Sequence, residues 1–141
     1  MGGFLLRGLA HPLTRDVDID DPETTALRAQ IVRTKPFLQK IYAEWYGRIA
    51  ACFTPEDQVL ELGSGAGFLK QIMPWVMTSE MFFTPGTDMV SDAMAIPLGN
   101  AAIDGIVMTD VLHHIQDCDM FLREAARVVR PGGRIVMIEP W

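Results

Sequence analysis

One stretch constrains the fold of this chain more than any other: Val59-Leu60-Glu61-Leu62-Gly63-Ser64-Gly65-Ala66-Gly67-Phe68. Val59, Leu60 and Leu62 are strand formers suited to the centre of a sheet. Gly63, Gly65 and Gly67 permit a tight turn and let a ligand approach the backbone with no Cβ in the way. A helix starting near Ala66 would point its free N–H groups into the same turn. A strand, a glycine turn and a helix in that order begin an α/β fold.

The glycine spacing separates ligand classes. A dinucleotide fingerprint places its third glycine three residues after the second. Here the interval is two, and Phe68 stands where that glycine would be. This excludes a nicotinamide-dependent oxidoreductase as the leading expectation. With Glu61 two residues before Gly63, the stretch resembles motif I of class I S-adenosylmethionine-dependent methyltransferases, of the small-molecule, methyltransferase type 11-like kind. The resemblance implies a Rossmann-like, mostly parallel sheet in order 3-2-1-4-5 with flanking helices. It also implies S-adenosylmethionine as cofactor.

Composition narrows the partners. The chain has 141 residues, enough for one core, with 49% hydrophobic and 21% charged residues. A net charge of −6 argues against a nucleic-acid backbone as the main partner. The sequence contains no apolar run of the ~18 residues that a membrane span requires. Met1 to Leu6 is too short for a signal peptide's apolar region. Cys52 and Cys118 have no metal-like spacing, so two reduced thiols in a cytoplasmic protein are expected. Asp16, Asp18, Asp20 and Asp21 lack the glycine and closing glutamate of a calcium loop. No metal is expected.

Before the glycine turn the pattern is helical. Asp20 or Asp21 is the expected N-cap and Pro22 the first residue of a helix to about Thr34, with Leu27 and Ile31 inward. A second helix should run from Pro36 to about Cys52, burying Phe37, Ile41, Trp45 and Ile49. Residues 1–54 thus read as a helical cap and 55–141 as a cofactor-binding domain. The second part alternates strands and helices: strand one to Leu62, a helix from Ala66 to Met73, strand two from Val76 to Ser79, strand three near Asp88 to Ser91. Strand four covers Gly105 to Thr109. A helix from Asp119 to Val129 turns Met120, Phe121, Ala125 and Val128 inward. Arg130-Pro131-Gly132-Gly133 forms a turn, and strand five spans Arg134 to Ile138. Only Met81 to Gly86 lie between strands two and three, so either the crossover helix is missing or strand three is vestigial.

Ligands in such folds bind beyond the carboxyl ends of the strands. Glu61, Gly63, Ser64, Gly65 and Gly67 mark the end of strand one, and Glu80 the end of strand two. By resemblance, Glu80 accepts from both ribose hydroxyls, for which two carboxylate oxygens suit a diol. Asp88 is its rival. Asp92-Ala93-Met94-Ala95-Ile96-Pro97 resembles the family's D-A-x-x-L-P segment, which implies adenine contacts from Asp92 and the Ala93 backbone; an N-cap is the other reading of Asp92. Thr109 and Asp110 resemble the residues beside the methionine moiety. His114 is the candidate general base, with a structural role as the alternative. Val128 to Val136 resembles the L-x-P-G-G turn before strand five. The resemblance covers Val59 to Glu139.

Methyl transfer to a small-molecule acceptor is therefore the expected activity, and a truncated or degenerate S-adenosylmethionine-binding module without turnover is the alternative. The resembling fold has seven strands in order 3-2-1-4-5-7-6, and this chain reaches Trp141 directly after strand five. Three expectations compete: a piece of a longer enzyme, a homodimer through the strand-five edge, or a domain without turnover.

Overall fold

Pro22 and Pro36 each open a helix, as a residue with fixed φ and no N–H does at the first turn. The structure is a computed structural model that describes residues 22–65 and 68–139. Helix α1 spans Pro22–Thr34 and α2 spans Pro36–Ala50. Lys35 between them is extended (φ −107°, ψ 105°), the conformation that a following proline enforces. The N-cap expected at Asp20 or Asp21 lies outside the described residues, as does the acidic cluster from Asp16.

Five strands follow: β1 Val59–Leu62, β2 Met77–Glu80, β3 Met89–Val90, β4 Ile103–Thr109 and β5 Val129–Ile138. They form one sheet in the order β3-β2-β1-β4-β5, and every pairing is parallel. The expected order is thus the observed one. All four residues of β1 are buried, as befits a central strand covered on both faces.

Strand alternation splits the core in two. Leu60 and Leu62 face helix α3 (Cys118–Val128) and pack with Ile106, Met108 and Phe121. Val59 faces α2 and packs with Tyr46, Ile49, Leu69, Met73 and Val107. Glu61 has the same parity as Val59, so its side chain leaves the sheet on the α2 side.

Ile49, Phe121, Ala125 and Val128 are buried as expected, but other positions of the expected stripes are not. Phe37 is 72% exposed, whereas Tyr46 and Ile49 are buried. Residues four apart advance 400° around a helix of 3.6 residues per turn, so a row of i+4 neighbours winds away from the sheet. Tyr42, Tyr46, Ile49 and Phe53 keep the better register. In α3, Phe121, Ala125 and Val128 are fully buried, but Met120 is 51% exposed, one residue off the stripe. Asp117 caps α3 by accepting from the Met120 N–H at 2.9 Å.

Of three connections, one departs from expectation and two match it. In place of a helix to Met73 there is one 3-10 turn at Leu69–Gln71. Pro74 disfavours helical backbone at Met73, which leaves too little chain to propagate one. Between β2 and β3, Met81 to Asp88 contains a turn closed by Thr87 N–H to Thr84 C=O at 3.2 Å, with Gly86 at φ 92°. The crossover helix is missing and β3 is only two residues long. At β5, partners jump from Ile103↔Val129 to Gly105↔Arg134, so Arg130 to Gly133 loop out within the strand's bounds. Gly132 at φ 86° makes that excursion.

The loop before β4 is tied to α3 by Arg127. Its guanidinium donates to the carbonyls of Ile96 (2.9 Å) and Leu98 (2.8 Å), and to the Glu124 carboxylate.

Candidate functional site

The carboxyl ends of β1, β2, β4 and β5 gather Glu61, Glu80, Asp110 and Glu139. The turn after β1 is built from two left-handed glycines, Gly63 (φ 65°) and Gly65 (φ 53°). It is sewn to β2: Ser64 N–H donates to Ser79 C=O at 2.9 Å, Ser79 N–H to Ser64 Oγ at 3.0 Å, and Ser79 Oγ to Glu61 C=O at 2.8 Å. Ser64 is buried with its hydroxyl committed to β2, so it holds the turn rather than facing outward. Gly67 lies outside the described residues.

Two carboxylates bracket this turn. Glu80 Oε1 accepts from the Gly65 N–H. Burial pushes the Glu80 pKa up, against the pull of the Gly65 and Met81 N–H groups. Glu61 is only 2% exposed, and its Oε2 has no hydrogen-bond partner among the described residues. Burial raises its pKa to about 8; the Ser64 hydroxyl opposes the rise, the Glu80 charge adds to it, and Lys70 opposes it weakly.

Asp88 is differently engaged. Both of its oxygens accept from Lys70 Nζ, at 2.7 and 2.6 Å, and Oδ2 also accepts from Thr78 N–H (2.8 Å) and Thr78 Oγ1 (2.9 Å). The Lys70 bond comes first in holding its pKa below the ordinary value. Asp92 Oδ1 accepts from Met94 N–H at 2.8 Å, closing a turn in which Ala95 N–H reaches Asp92 C=O. No helix follows, so Asp92 caps a turn rather than a helix. Ala93 packs against the α3-side core.

Thr109 ends β4, and Asp110 follows with φ 57°, an uncommon conformation for a residue with a side chain. Its N–H donates to Ile138 C=O at 2.9 Å. Burial first, then the Glu139 charge, raises the Asp110 pKa, and the two histidines oppose this. The next segment, a 3-10 turn at Leu112–His114, is anchored by Glu139. Oε1 accepts from Val111 N–H (2.9 Å) and Leu112 N–H (2.8 Å), and Oε2 meets His113 Nδ1 at 2.9 Å. His114 is exposed, its ring 4.1 Å from that of His113, and its ring nitrogens have no partner among the described residues.

Glu139 is the residue that sequence reasoning left without a role. Its place at the end of β5 was the available signal. Met81, Phe82 and Phe83, exposed directly after Glu80, were missed as well.

The residues matched by the methyltransferase domain model, 60–137, are the ones that form this sheet and its strand ends. This chain belongs to the methyltransferase domain family. A demethylmenaquinone methyltransferase of Streptomyces griseus is 37% identical over 70 residues, 50% of this chain and 26% of that protein. A UbiE C-methyltransferase of ubiquinone and menaquinone biosynthesis from Caulobacter is 42% identical over 50 residues, 36% of this chain and 20% of its own length. The methyltransferase domain described here thus spans about a quarter or less of those relatives.

Among solved structures, a Methanococcus maripaludis protein assigned as an S-adenosyl-L-methionine-dependent methyltransferase aligns with TM-score 0.67 at 15% identity, covering 86% of this chain and 66% of that one. A SAM-dependent methyltransferase from Aquifex aeolicus gives 0.58 at 20% identity, covering 79% and 68%. At these identities the likeness establishes the fold. The family implies S-adenosylmethionine as the cofactor.

The residues present fit that group. The orphaned Glu61 Oε2 calls for a donor or a cation. At Gly65 an added Cβ would meet, among the described residues, only Gly63 O, at 3.9 Å, so they leave a ligand room to reach the backbone. A cavity of about 350 Å³ lies between α1, α2 and the 3-10 turn, lined by Arg33, Tyr42, Tyr46 and Phe68 among others. The larger one, about 600 Å³, opens at the opposite end of β4 and β5 near Ala101 and Arg130, away from these carboxylates.

Proposed function

We propose that this chain is the cofactor-binding part of a methyltransferase that acts on a small molecule. The observation that carries the reading is the left-handed glycine turn held between two carboxylates, the buried Glu61 and the half-buried Glu80, at the carboxyl end of a parallel sheet. S-adenosylmethionine carries a sulfonium and an ammonium, and a ring of carboxylates suits both charges.

Each residue then has a task. Glu80 accepts from the ribose hydroxyls; its rival Asp88 already satisfies Lys70 and Thr78. Asp92 and the Ala93 N–H meet the adenine edge. Gly63, Gly65 and Gly67 let the backbone approach the methionine end, which Glu61, Thr109 and Asp110 also attend. The cofactor supplies a methyl group already activated on its sulfur. The chain's contribution is alignment of the acceptor in line with that methyl, which accounts for a site rich in binding groups. His114, exposed and uncommitted, takes the acceptor's proton where one must leave; Glu139 fixes the segment that carries it.

A small acceptor agrees with the net charge of −6 and with relatives named for menaquinone and ubiquinone methylation. Residues 1–54 act as a helical cap on the cofactor domain, residues 55–141. Among the described residues no helix is long and apolar enough to cross a membrane, and Cys52 and Cys118 are free, in keeping with a cytoplasmic protein.

Titration calorimetry tests the reading. S-adenosylmethionine is expected to bind the chain, and Glu80→Ala to weaken binding by about 1–3 kcal/mol, the value of charge-assisted bonds. Asp88→Asn should lower stability instead. Unchanged affinity in folded Glu80→Ala would remove Glu80 from the ribose site.

A second reading rests on β5, which pairs only with β4 among the described residues and so presents an outer edge. We propose that two copies pair through this edge. Sedimentation velocity should show a concentration-dependent dimer; a monomer at millimolar chain would exclude it.

A further inference from the structure

Glu61 is the least satisfied polar group of the site. It is 2% exposed, and its Oε2 lacks a partner among the described residues. Among the described residues, no group around it offers a free neutralising charge. From β2 comes Glu80, another acid. From the 3-10 turn comes Lys70, but its ammonium is held by both oxygens of Asp88 at 2.6 and 2.7 Å. From α2 comes the buried Tyr46, a neutral phenol, and beyond it Asp110 at the end of β4. From its own turn comes the Ser64 hydroxyl. A lone carboxylate in such surroundings costs far more than a neutral carboxylic acid.

We propose that Glu61 carries a proton in the ligand-free chain and gives it up when the cationic cofactor arrives, so that binding exchanges a proton for a cation. The inference rests on the cofactor reading above and adds a pH-dependent step to it. The exchange balances: the carboxylic acid releases H⁺ to solvent, and the carboxylate left behind faces the ligand's positive charge.

The sign follows from linkage. Below pH 4.5 Glu61 is protonated in both folded and unfolded chains. Between 4.5 and about 8 the unfolded chain ionises while the folded one keeps its proton. The folded state then binds more protons, so its stability declines as pH rises through that window and levels off above it. Cofactor affinity moves the other way, rising up to about tenfold per pH unit below 8 and flattening above.

Two measurements on the full chain test this. Calorimetry of S-adenosylmethionine at pH 7, in buffers of different ionisation enthalpy, should report release of about one proton per cofactor, and close to none in Glu61→Gln. Thermal melts of the ligand-free proteins from pH 5 to 9 should show the wild-type Tm falling relative to Glu61→Gln. Binding with no proton release, release undiminished in Glu61→Gln, or parallel Tm curves would each overturn the exchange. Absence of binding to either chain at every pH would overturn the cofactor reading, and the exchange with it; binding without release overturns the exchange alone.

Discussion

Gly63→Ala is expected to cost about 2–5 kcal/mol of stability and to abolish measurable cofactor binding. Two penalties add. At φ 65° an alanine pays about 1–2 kcal/mol for left-handed backbone. Its Cβ would also sit 2.5 Å from Val111 Cγ2, closer than packed carbons tolerate, at roughly 1–3 kcal/mol for overpacking. Val111 is held in place through its N–H by Glu139, so it has little freedom to withdraw. The companion change Gly65→Ala separates the two effects. Gly65 also has positive φ, but its Cβ would enter open space, so its stability loss should be about 1–2 kcal/mol. In the proposed site the ligand approaches through that space, so binding should fall even though the fold survives. Urea melts paired with S-adenosylmethionine titrations read both quantities. Equal stability losses would mean that Val111 does not limit position 63, and full binding by Gly65→Ala would remove the glycine turn from the cofactor site.

The second large effect lies in the core. Phe121 is the largest fully buried side chain, seated among Leu60, Leu62, Ile106 and Met108 under the sheet. Phe121→Ala should destabilise the chain by about 3–5 kcal/mol, through lost transfer energy and the cavity left behind. For a domain whose whole stability is on the order of 5–15 kcal/mol, that is a substantial part. Met120→Ala, one residue away and half exposed, should change stability by less than about 1 kcal/mol. Chemical denaturation of the two variants side by side checks the assignment of the buried face; comparable losses would mean that α3 is rotated.

That pair also shows where sequence patterns stop. Met120 and Phe121 are both apolar and adjacent, and only packing against β1 and β4 decides which one is inside. In α2 the four-residue spacing of Phe37, Ile41, Trp45 and Ile49 looked like a face. It is a row that winds round the helix, and the sheet keeps Ile49, adds Tyr46 and leaves Phe37 outside. The helix expected from Ala66 shrank to one turn because Pro74 and the start of β2 leave it no length.

At the site, the residues that local chemistry marks were readable. A run of strand formers, glycines at one spacing, and an acid before them mean a strand, a left-handed turn and a buried carboxylate wherever they occur. Prolines 22 and 36 open helices for the same local reason. What these groups do to one another was not readable, because it depends on partners far away in the chain. Lys70 and Thr78 claim Asp88, which leaves Glu80 alone on the Gly65 N–H. Glu139 reaches back to Val111, Leu112 and His113. Glu61 loses solvent only when α2 closes over β1. Chain-local sterics thus wrote the turn, the strands and their order of appearance; desolvation and long-range pairing, which exist only in the folded sheet, decided which carboxylates are spent and which remain for a ligand.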